Sequence, residues 1–327
     1  QPVQSLEKTS SSTELKDMEG WLIERGNSVD STQASNELNA YNNSHEVKVY
    51  EVMLLASVHI DSEYRFCNGV ELIYPHTLPN QYIASNIINN SFNSVLPLPK
   101  VESVLIAPYN QEISHISNTE MNAAACSPNI PVNELEEARM CLALARPINF
   151  GIHAIGHGTV APDELPFIQS LSGWSVYAFK HPPSSPAVIE IEMQLADQLL
   201  EKFGKLPDSL KSKLIIPIER LNGYSSGATL VDKAIDLRIC LEAIFLDDGN
   251  KEQLSYRLAL RAALFLGNKL AEKKEIMKLM KDAYNVTSTA VHTGKLTSKR
   301  VKLLPKAAAV AKQAIIKIIN EGVVDWQ

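Results

Sequence analysis

Apolar and polar positions follow three different patterns along this chain of 327 residues. Residues 1–45 are rich in Ser, Asn, Gln and Glu, and within them residues 18–23 are apolar enough for a strand or a docking turn. Because such a stretch buries little apolar surface, we interpret residues 1–45 as a polar lead that is mobile or loosely packed.

Short apolar runs bounded by Pro, Gly or Asn fill residues 46–185 and predict strands. Residues 47–60 are β-branched and partly alternating, and residues 66–75 place an Asn-Gly pair between apolar runs, which is typical of a hairpin. Residues 134–145 carry acids in their first turn and predict a helix. Further apolar runs begin at residues 101, 145 and 174. Together these elements predict a mixed, strand-rich α+β domain whose ligand is unknown.

A helical period replaces the strand pattern after the proline-rich linker at residues 181–186. Pro217 should kink or divide the second helix, residues 223–227 should form a turn, and Thr229 should cap the third helix. The predicted helices cover residues 188–203, 207–221, 230–246, 254–266, 271–293 and 306–319. We therefore predict an α-helical bundle over residues 186–327.

Composition limits the class of protein. No apolar run approaches the roughly 18 residues of a membrane span, and the first residues lack a basic-then-apolar secretory leader. The cysteines lie far apart and outside CxxC pairs, which argues against a zinc ribbon or a disulfide scaffold. They are Cys67, Cys126, Cys141 and Cys240. We expect free thiols, a cytoplasmic location, no membrane association and no cofactor.

The net charge of −6 hides an asymmetry between the two parts of the chain. Residues 251–327 hold 15 Lys and Arg against 6 Asp and Glu, so this part is basic and the remainder is acidic. A basic part is compatible with a polyanionic partner. The alternative is that Lys273, Lys274, Lys278 and Lys281 only solvate a helix face.

Two histidines four residues apart form a candidate metal motif. His153 and His157 have the H-x3-H spacing that binds zinc when it lies on a helix. Glycines beside and between these histidines argue against a helix, so we predict no metal site. No dinucleotide-binding, hydrolase-elbow or zincin motif occurs in the sequence either.

Three C-terminal segments occur in the order found in one known family. They are LVDKAIDLRICLEAIFL at residues 230–246, QLSYRLALRAALFLG at 253–267 and AYNVTSTAVHTG at 283–294. Over about the last 110 to 140 residues the chain resembles an Apea-like HEPN domain. The resemblance implies a small all-α domain that forms a homodimer, as in metal-independent endoribonucleases of anti-phage and toxin systems. Residues 46–185 would then sense a phage or host protein, or restrain the nuclease.

The family's catalytic motif is an arginine followed, after four to six residues, by a histidine. His292 matches the histidine, which acts as general acid or base on the RNA 2′-hydroxyl. The arginine falls at Asn285, Val286 or Thr287, none of which is basic. We therefore predict a degenerate catalytic set of His292, Asn285 and Thr287. The alternatives are an inactive module that dimerises and binds RNA or protein, and a helix-end role for His292.

Cationic residues near this motif are the candidates to hold an RNA phosphate, because a guanidinium pairs bidentately with phosphate. They are Arg257, Arg261, Lys295 and Arg300. Arg257 and Arg261 lie among Leu and Ala, so with Glu242 they are also expected to form a buried ion-pair network that fixes the bundle. Of these two roles for the two arginines, we favour the structural one.

Overall fold

The computed structural model describes residues 15–89, 99–112, 129–165, 175–176, 186–227, 229–246, 252–296 and 301–322. Within these ranges the chain is a mixed α+β protein with one six-stranded antiparallel sheet and ten α-helices. The predicted α+β class is therefore confirmed. Most of the predicted linker at residues 181–186 lies outside the described residues.

The sheet is built around its first strand. The strands are β1 (Glu46–Ala56), β2 (Tyr64–Arg65), β3 (Glu71–Ile73), β4 (Val101–Glu112), β5 (Ala154–Val160) and β6 (Ser175–Val176). Their order is β2-β3-β4-β1-β5-β6, so β1 pairs with β4 on one side and β5 on the other. β2 and β3 form the predicted hairpin, and Gly69 between them has a φ of 87°, which favours glycine.

The two faces of the sheet bury different apolar clusters, as the period of two of a strand requires. On β1, Met53 and Leu55 point to the face that packs on the long helices, whereas Val52 and Leu54 point to the opposite face. Helix α3 (Gln81–Ile88) contributes Ile83, Ala84 and Ile87 to that opposite cluster.

The helices carry most of the described chain. They are α1 (Leu15–Ser28), α2 (Ser31–Asn42), α3 (Gln81–Ile88), α4 (Val132–Ala145), α5 (Glu190–Gly204), α6 (Asp208–Ser226), α7 (Leu230–Phe245), α8 (Leu254–Leu266), α9 (Leu270–Thr293) and α10 (Leu304–Glu321). A short 3-10 turn, Pro75–Thr77, precedes α3. The predicted cap of α7 is confirmed, because the hydroxyl of Thr229 accepts the main-chain N–H of Asp232 at 3.1 Å. No helix within the described ranges has the length and apolar content that a bilayer crossing requires.

One apolar core joins the sheet to the long helices. It includes Leu72 and Leu105 of the sheet, Leu142 of α4 and Phe245 of α7. Helix α4 packs against α5 and α6. The helix predicted within the strand-rich stretch therefore shares its core with the helices that follow residue 186.

The N-terminal region is helical where it is described. Residues 15–42 form α1 and α2, so the strand or docking turn predicted at residues 18–23 is wrong, whereas the interpretation of residues 1–45 as a mobile or loosely packed lead stays a prediction. The polar composition did not reveal the helices because α2 buries only a few side chains, among them Ala34 and Tyr41.

Specific polar contacts hold these two helices in place. Arg25 Nε of α1 lies 2.8 Å from Glu37 Oε2 of α2, in a half-buried ion pair. Trp21 Nε1 donates to the main-chain oxygen of Asp163 at 3.1 Å, which fixes α1 near the end of β5. A few buried groups and two directional contacts thus replace the large apolar face that a helix usually presents to a core.

Helix α6 continues without interruption to Ser226, so the predicted turn at residues 223–227 is wrong and Pro217 does not divide the helix. Gly223 has a packing role instead, since a Cβ at this position would lie 2.9 Å from Oδ2 of Asp236 on α7. The absence of a side chain therefore lets α6 and α7 approach each other closely.

Candidate functional site on helix α9

Helix α9 carries the predicted catalytic histidine in its last turn. The helix begins where the Glu272 carboxylate accepts the main-chain N–H groups of Asn268 at 2.9 Å and Lys269 at 3.3 Å. It ends at Gly294, whose φ of 65° is the left-handed conformation of a helix C-cap. The predicted glycine stop is confirmed, and it fixes His292 close to the end of a 24-residue helix.

The three predicted catalytic residues do not share one face of α9. His292 and Asn285 are exposed. At about 100° per residue, their separation places them within roughly 20° of each other around the helix axis. Thr287 is fully buried, and its hydroxyl donates to the main-chain oxygen of Tyr284 at 3.0 Å. Thr287 therefore has no access to a substrate, and its assignment to the catalytic set is corrected.

The two arginines of α8 contact main-chain oxygens. Arg261 Nη1 donates at 2.7 Å to the oxygen of Phe245, the last residue of α7. Arg257 Nη1 lies 3.5 Å from the oxygen of Glu252. Because the last carbonyls of a helix lack intrahelical donors, Arg261 stabilises the end of α7. These contacts favour the structural role of the two arginines over phosphate binding.

Glu242 pairs with Arg238, which the sequence analysis did not select. Its Oε1 accepts from Arg238 Nε at 3.0 Å, one turn away on α7. Arg238 Nη2 also donates to the Tyr284 hydroxyl at 2.8 Å, and its guanidinium lies 4.3 Å from the centre of the tyrosine ring. The predicted network of Glu242 with Arg257 and Arg261 is therefore corrected to one that joins α7 to α9. The i,i+4 spacing of Arg238 and Glu242 is the sequence feature that identifies this pair.

Three lysines share the exposed side of α9 with His292. Lys274, Lys278 and Lys281 are exposed, and the described contacts give none of them an ion pair. At about 100° per residue, they and His292 fall within a sector of about 60° around the helix axis, which we call the basic face of α9. Lys295, beyond the C-cap, is also exposed. Arg300 lies outside the described residues.

A second polar cluster lies on the sheet. The buried carboxylate of Glu51 on β1 contacts Nδ1 of His157 on β5 and accepts the Thr159 hydroxyl at 2.9 Å. The hydroxyl of Tyr109 lies 2.7 Å from the Thr159 oxygen. The histidine of the H-x3-H motif is thus on a strand, as its glycines indicated, and has a carboxylate partner. Among the described residues, no three His, Cys, Asp or Glu side chains are grouped so that they could hold a metal ion.

The described cysteines are poorly suited to nucleophilic catalysis. Cys141 and Cys240 are buried, and burial raises the pKa of both thiols far above the usual range. Cys67 is exposed, but desolvation and the neighbouring Asp197 raise its pKa to about 11. All three therefore remain protonated, and weakly nucleophilic, at neutral pH. Cys126 lies outside the described residues.

Comparison with known proteins gives no match: no family model, no curated protein and no solved structure is similar to this chain. The side chains of α9 and their surroundings are therefore the basis on which a function can be assigned.

Proposed function

We propose that this protein is an RNA-targeting effector of anti-phage or toxin-type defence, with a HEPN-like helical part that acts as a metal-independent endoribonuclease. The observation that carries this proposal is the position of His292. Its imidazole is exposed in the last turn of α9, on the same side as Asn285 and three lysines without ion pairs. A proton-transfer group on the same helix face as uncompensated positive charge suits a phosphodiester substrate.

In the proposed reaction, the His292 imidazole removes the proton of a ribose 2′-hydroxyl. The 2′-oxygen then attacks the adjacent phosphorus, and the bond from phosphorus to the 5′-oxygen breaks. The products are a 2′,3′-cyclic phosphate and a 5′-hydroxyl, and the departing oxygen takes up a proton. This chemistry requires no metal, because the attacking oxygen belongs to the substrate and the imidazole moves the proton.

A cation beside His292 would stabilise the charge that develops on the phosphate. Arg257 and Arg261 already contact main-chain oxygens, so they are poor candidates for this role. Lys295 follows the histidine by three residues and is exposed. A homodimer through the C-terminal helices would bring a second set of such residues to the site, and we include it in the proposal. In this scheme, the sheet with its helices is the part that senses a phage or host protein.

Binding without cleavage is the second candidate function. It is favoured by a specific observation: Thr287, a position at which the family motif could place its arginine, is buried. Of the three motif positions, the exposed one holds Asn285, which is neutral. On this alternative the helices dimerise and hold RNA or a protein, and His292 only ends the helix.

Cleavage of a single-stranded RNA oligonucleotide in the presence of EDTA tests the proposal. We expect His292→Ala to lower the rate by about 10²–10⁴-fold, which is the usual contribution of an acid–base group. His45→Ala, which removes an exposed histidine just before β1, is the matched control and should retain activity. Binding of the same RNA without cleavage by any form would select the second candidate. A protein that neither cleaves nor binds RNA would rule out both.

A further inference from the structure

We propose that the basic face of α9 binds the phosphates of single-stranded RNA and leads the strand to His292. This inference rests on the proposed RNA-targeting function and adds the class of RNA and the residues that hold it. Lys274, Lys278 and Lys281 lie three or four residues apart, so they follow one another along the helix at about one turn each. The row contains one ammonium group per turn from Lys274 to Lys281, and His292 lies on the same side about 16 Å further along the helix.

Some exposed lysines elsewhere on the molecule are paired with a carboxylate, whereas others, such as Lys48 and Lys306, are not within the described contacts. Lys100 lies 2.8 Å from Glu102, and Lys205 lies 2.6 Å from Glu201. The described contacts contain no such carboxylate for Lys274, Lys278 or Lys281. Their charge is therefore not compensated within the described chain, which is the condition for displacing counterions from a polyanion.

The two borders of the basic face have opposite character. On one side, about 80–100° around the axis from Lys274, the helix carries Glu275 and Asp282. On the other side, within about 100°, it carries Leu270 and Val291, which are 69% and 46% exposed and lie at opposite ends of the helix, about 32 Å apart along its axis. A bound strand would therefore keep its phosphates on the lysines, away from the acids.

This asymmetry favours a single strand over a duplex. An RNA duplex presents two rows of phosphates, so a duplex that lies along the lysines would bring its second row toward Glu275 and Asp282. Repulsion between phosphates and carboxylates opposes that arrangement. A single strand presents one row of phosphates and avoids this repulsion.

The length of the row sets the size of the bound segment. The 18 positions from Lys274 to His292 span about 27 Å at roughly 1.5 Å per residue. At roughly 3.4 Å of rise per stacked nucleotide, this length accommodates about eight nucleotides. The size lies within the range of about 4–16 nucleotides found for other single-strand binding surfaces.

The test is the salt dependence of binding to a 12-nucleotide oligouridylate, measured by fluorescence anisotropy with the full chain. Each neutralised phosphate of a single strand contributes about −0.7 to the slope of log K against log salt. The variant Lys274→Gln/Lys278→Gln/Lys281→Gln should therefore make the slope shallower by about 2. A blunt 12-base-pair RNA duplex should bind the unmodified protein more weakly than the single strand does.

A matched control separates a local surface from a change in net charge. The variant Lys48→Gln/Lys100→Gln/Lys205→Gln removes the same number of charges from other surfaces and should leave the slope unchanged. The inference is overturned if the α9 variant and the unmodified protein have the same salt slope. It is also overturned if the control variant loses as much slope as the α9 variant, or if the protein binds the duplex more tightly than the single strand.

The outcome is distinguishable from that of the proposed nuclease. If cleavage depends on His292 but not on the three lysines, the proposed nuclease activity stands and the proposed binding row is rejected. If the lysine variant has a shallower salt slope but the unmodified protein cleaves no RNA, the binding row stands and the nuclease activity is rejected. Since all three lysines are exposed, circular dichroism should show that the variant remains folded.

Discussion

The burial of Thr287 gives a prediction that separates the fold from the catalytic motif. Thr287→Arg would place the arginine that the family motif requires at one of its allowed spacings. In this chain, however, residue 287 is fully buried on the face of α9 that packs against the other helices. We expect the substitution to destabilise the protein strongly rather than to create a phosphate site.

The magnitude follows from two effects at one position. An uncompensated charge in a protein interior costs several kcal/mol, about 3–5 kcal/mol when a buried pair lacks one partner. The longer side chain adds about 1–3 kcal/mol of overpacking. The free energy of unfolding should thus fall by at least about 4 kcal/mol, a large fraction of the roughly 5–15 kcal/mol that stabilises a typical domain.

Urea unfolding followed by circular dichroism measures this difference. Thr287→Val is the first control, because the described bond of the hydroxyl is to a carbonyl of its own helix. Its removal should change the free energy of unfolding by no more than about 1 kcal/mol. Asn285→Arg is the second control: the position is exposed, so the effect should stay within about 0.5 kcal/mol. A Thr287→Arg protein as stable as these controls would refute the packing argument.

Further predictions concern packing, the polar cluster of the sheet and thiol reactivity. Gly223→Val should lower the free energy of unfolding by about 1–3 kcal/mol, because a Cβ would lie 2.9 Å from Asp236 Oδ2. An unchanged urea midpoint of unfolding would contradict this prediction. Glu51→Ala should cost about 2–4 kcal/mol in the same assay, since His157 loses its buried carboxylate. Alkylation of Cys67 by iodoacetamide, followed by peptide mass spectrometry, should accelerate up to about pH 11, which matches its raised pKa, and a plateau near pH 9 would contradict the contact with Asp197.

Secondary-structure ends could be predicted from the sequence where they depend on neighbouring residues alone. Thr229 and Gly294 define the ends of α7 and α9 through capping, which depends on neighbouring residues alone. The Asn-Gly pair defines the β2–β3 hairpin for the same reason. Helices α1 and α2 were not predicted because they are held by a few long-range contacts, and composition does not encode these.

The candidate site was predictable in part. The exposed position of His292 follows from a helix that ends at Gly294, and the sequence contains both. The burial of Thr287 does not follow, because a threonine in a helix can satisfy its hydroxyl on its own backbone and then pack like a valine. The i,i+4 spacing of Arg238 and Glu242 is enough to identify that pair. The contact of Arg238 with Tyr284 depends on which side of α7 faces α9, and this is a tertiary property.

Helical geometry limits how this chain could meet the family motif. With four to six residues between arginine and histidine, the position that corresponds to the motif arginine must be residue 285, 286 or 287. At about 100° per residue, residues 286 and 287 lie roughly 120° and 140° away from His292 around the axis, whereas residue 285 lies within about 20°. Val286 and Thr287 are accordingly buried, and Asn285 is exposed. Asn285 is therefore the motif position that can act together with His292, and its neutral side chain leaves phosphate binding to the lysines of the same helix face or to a second subunit.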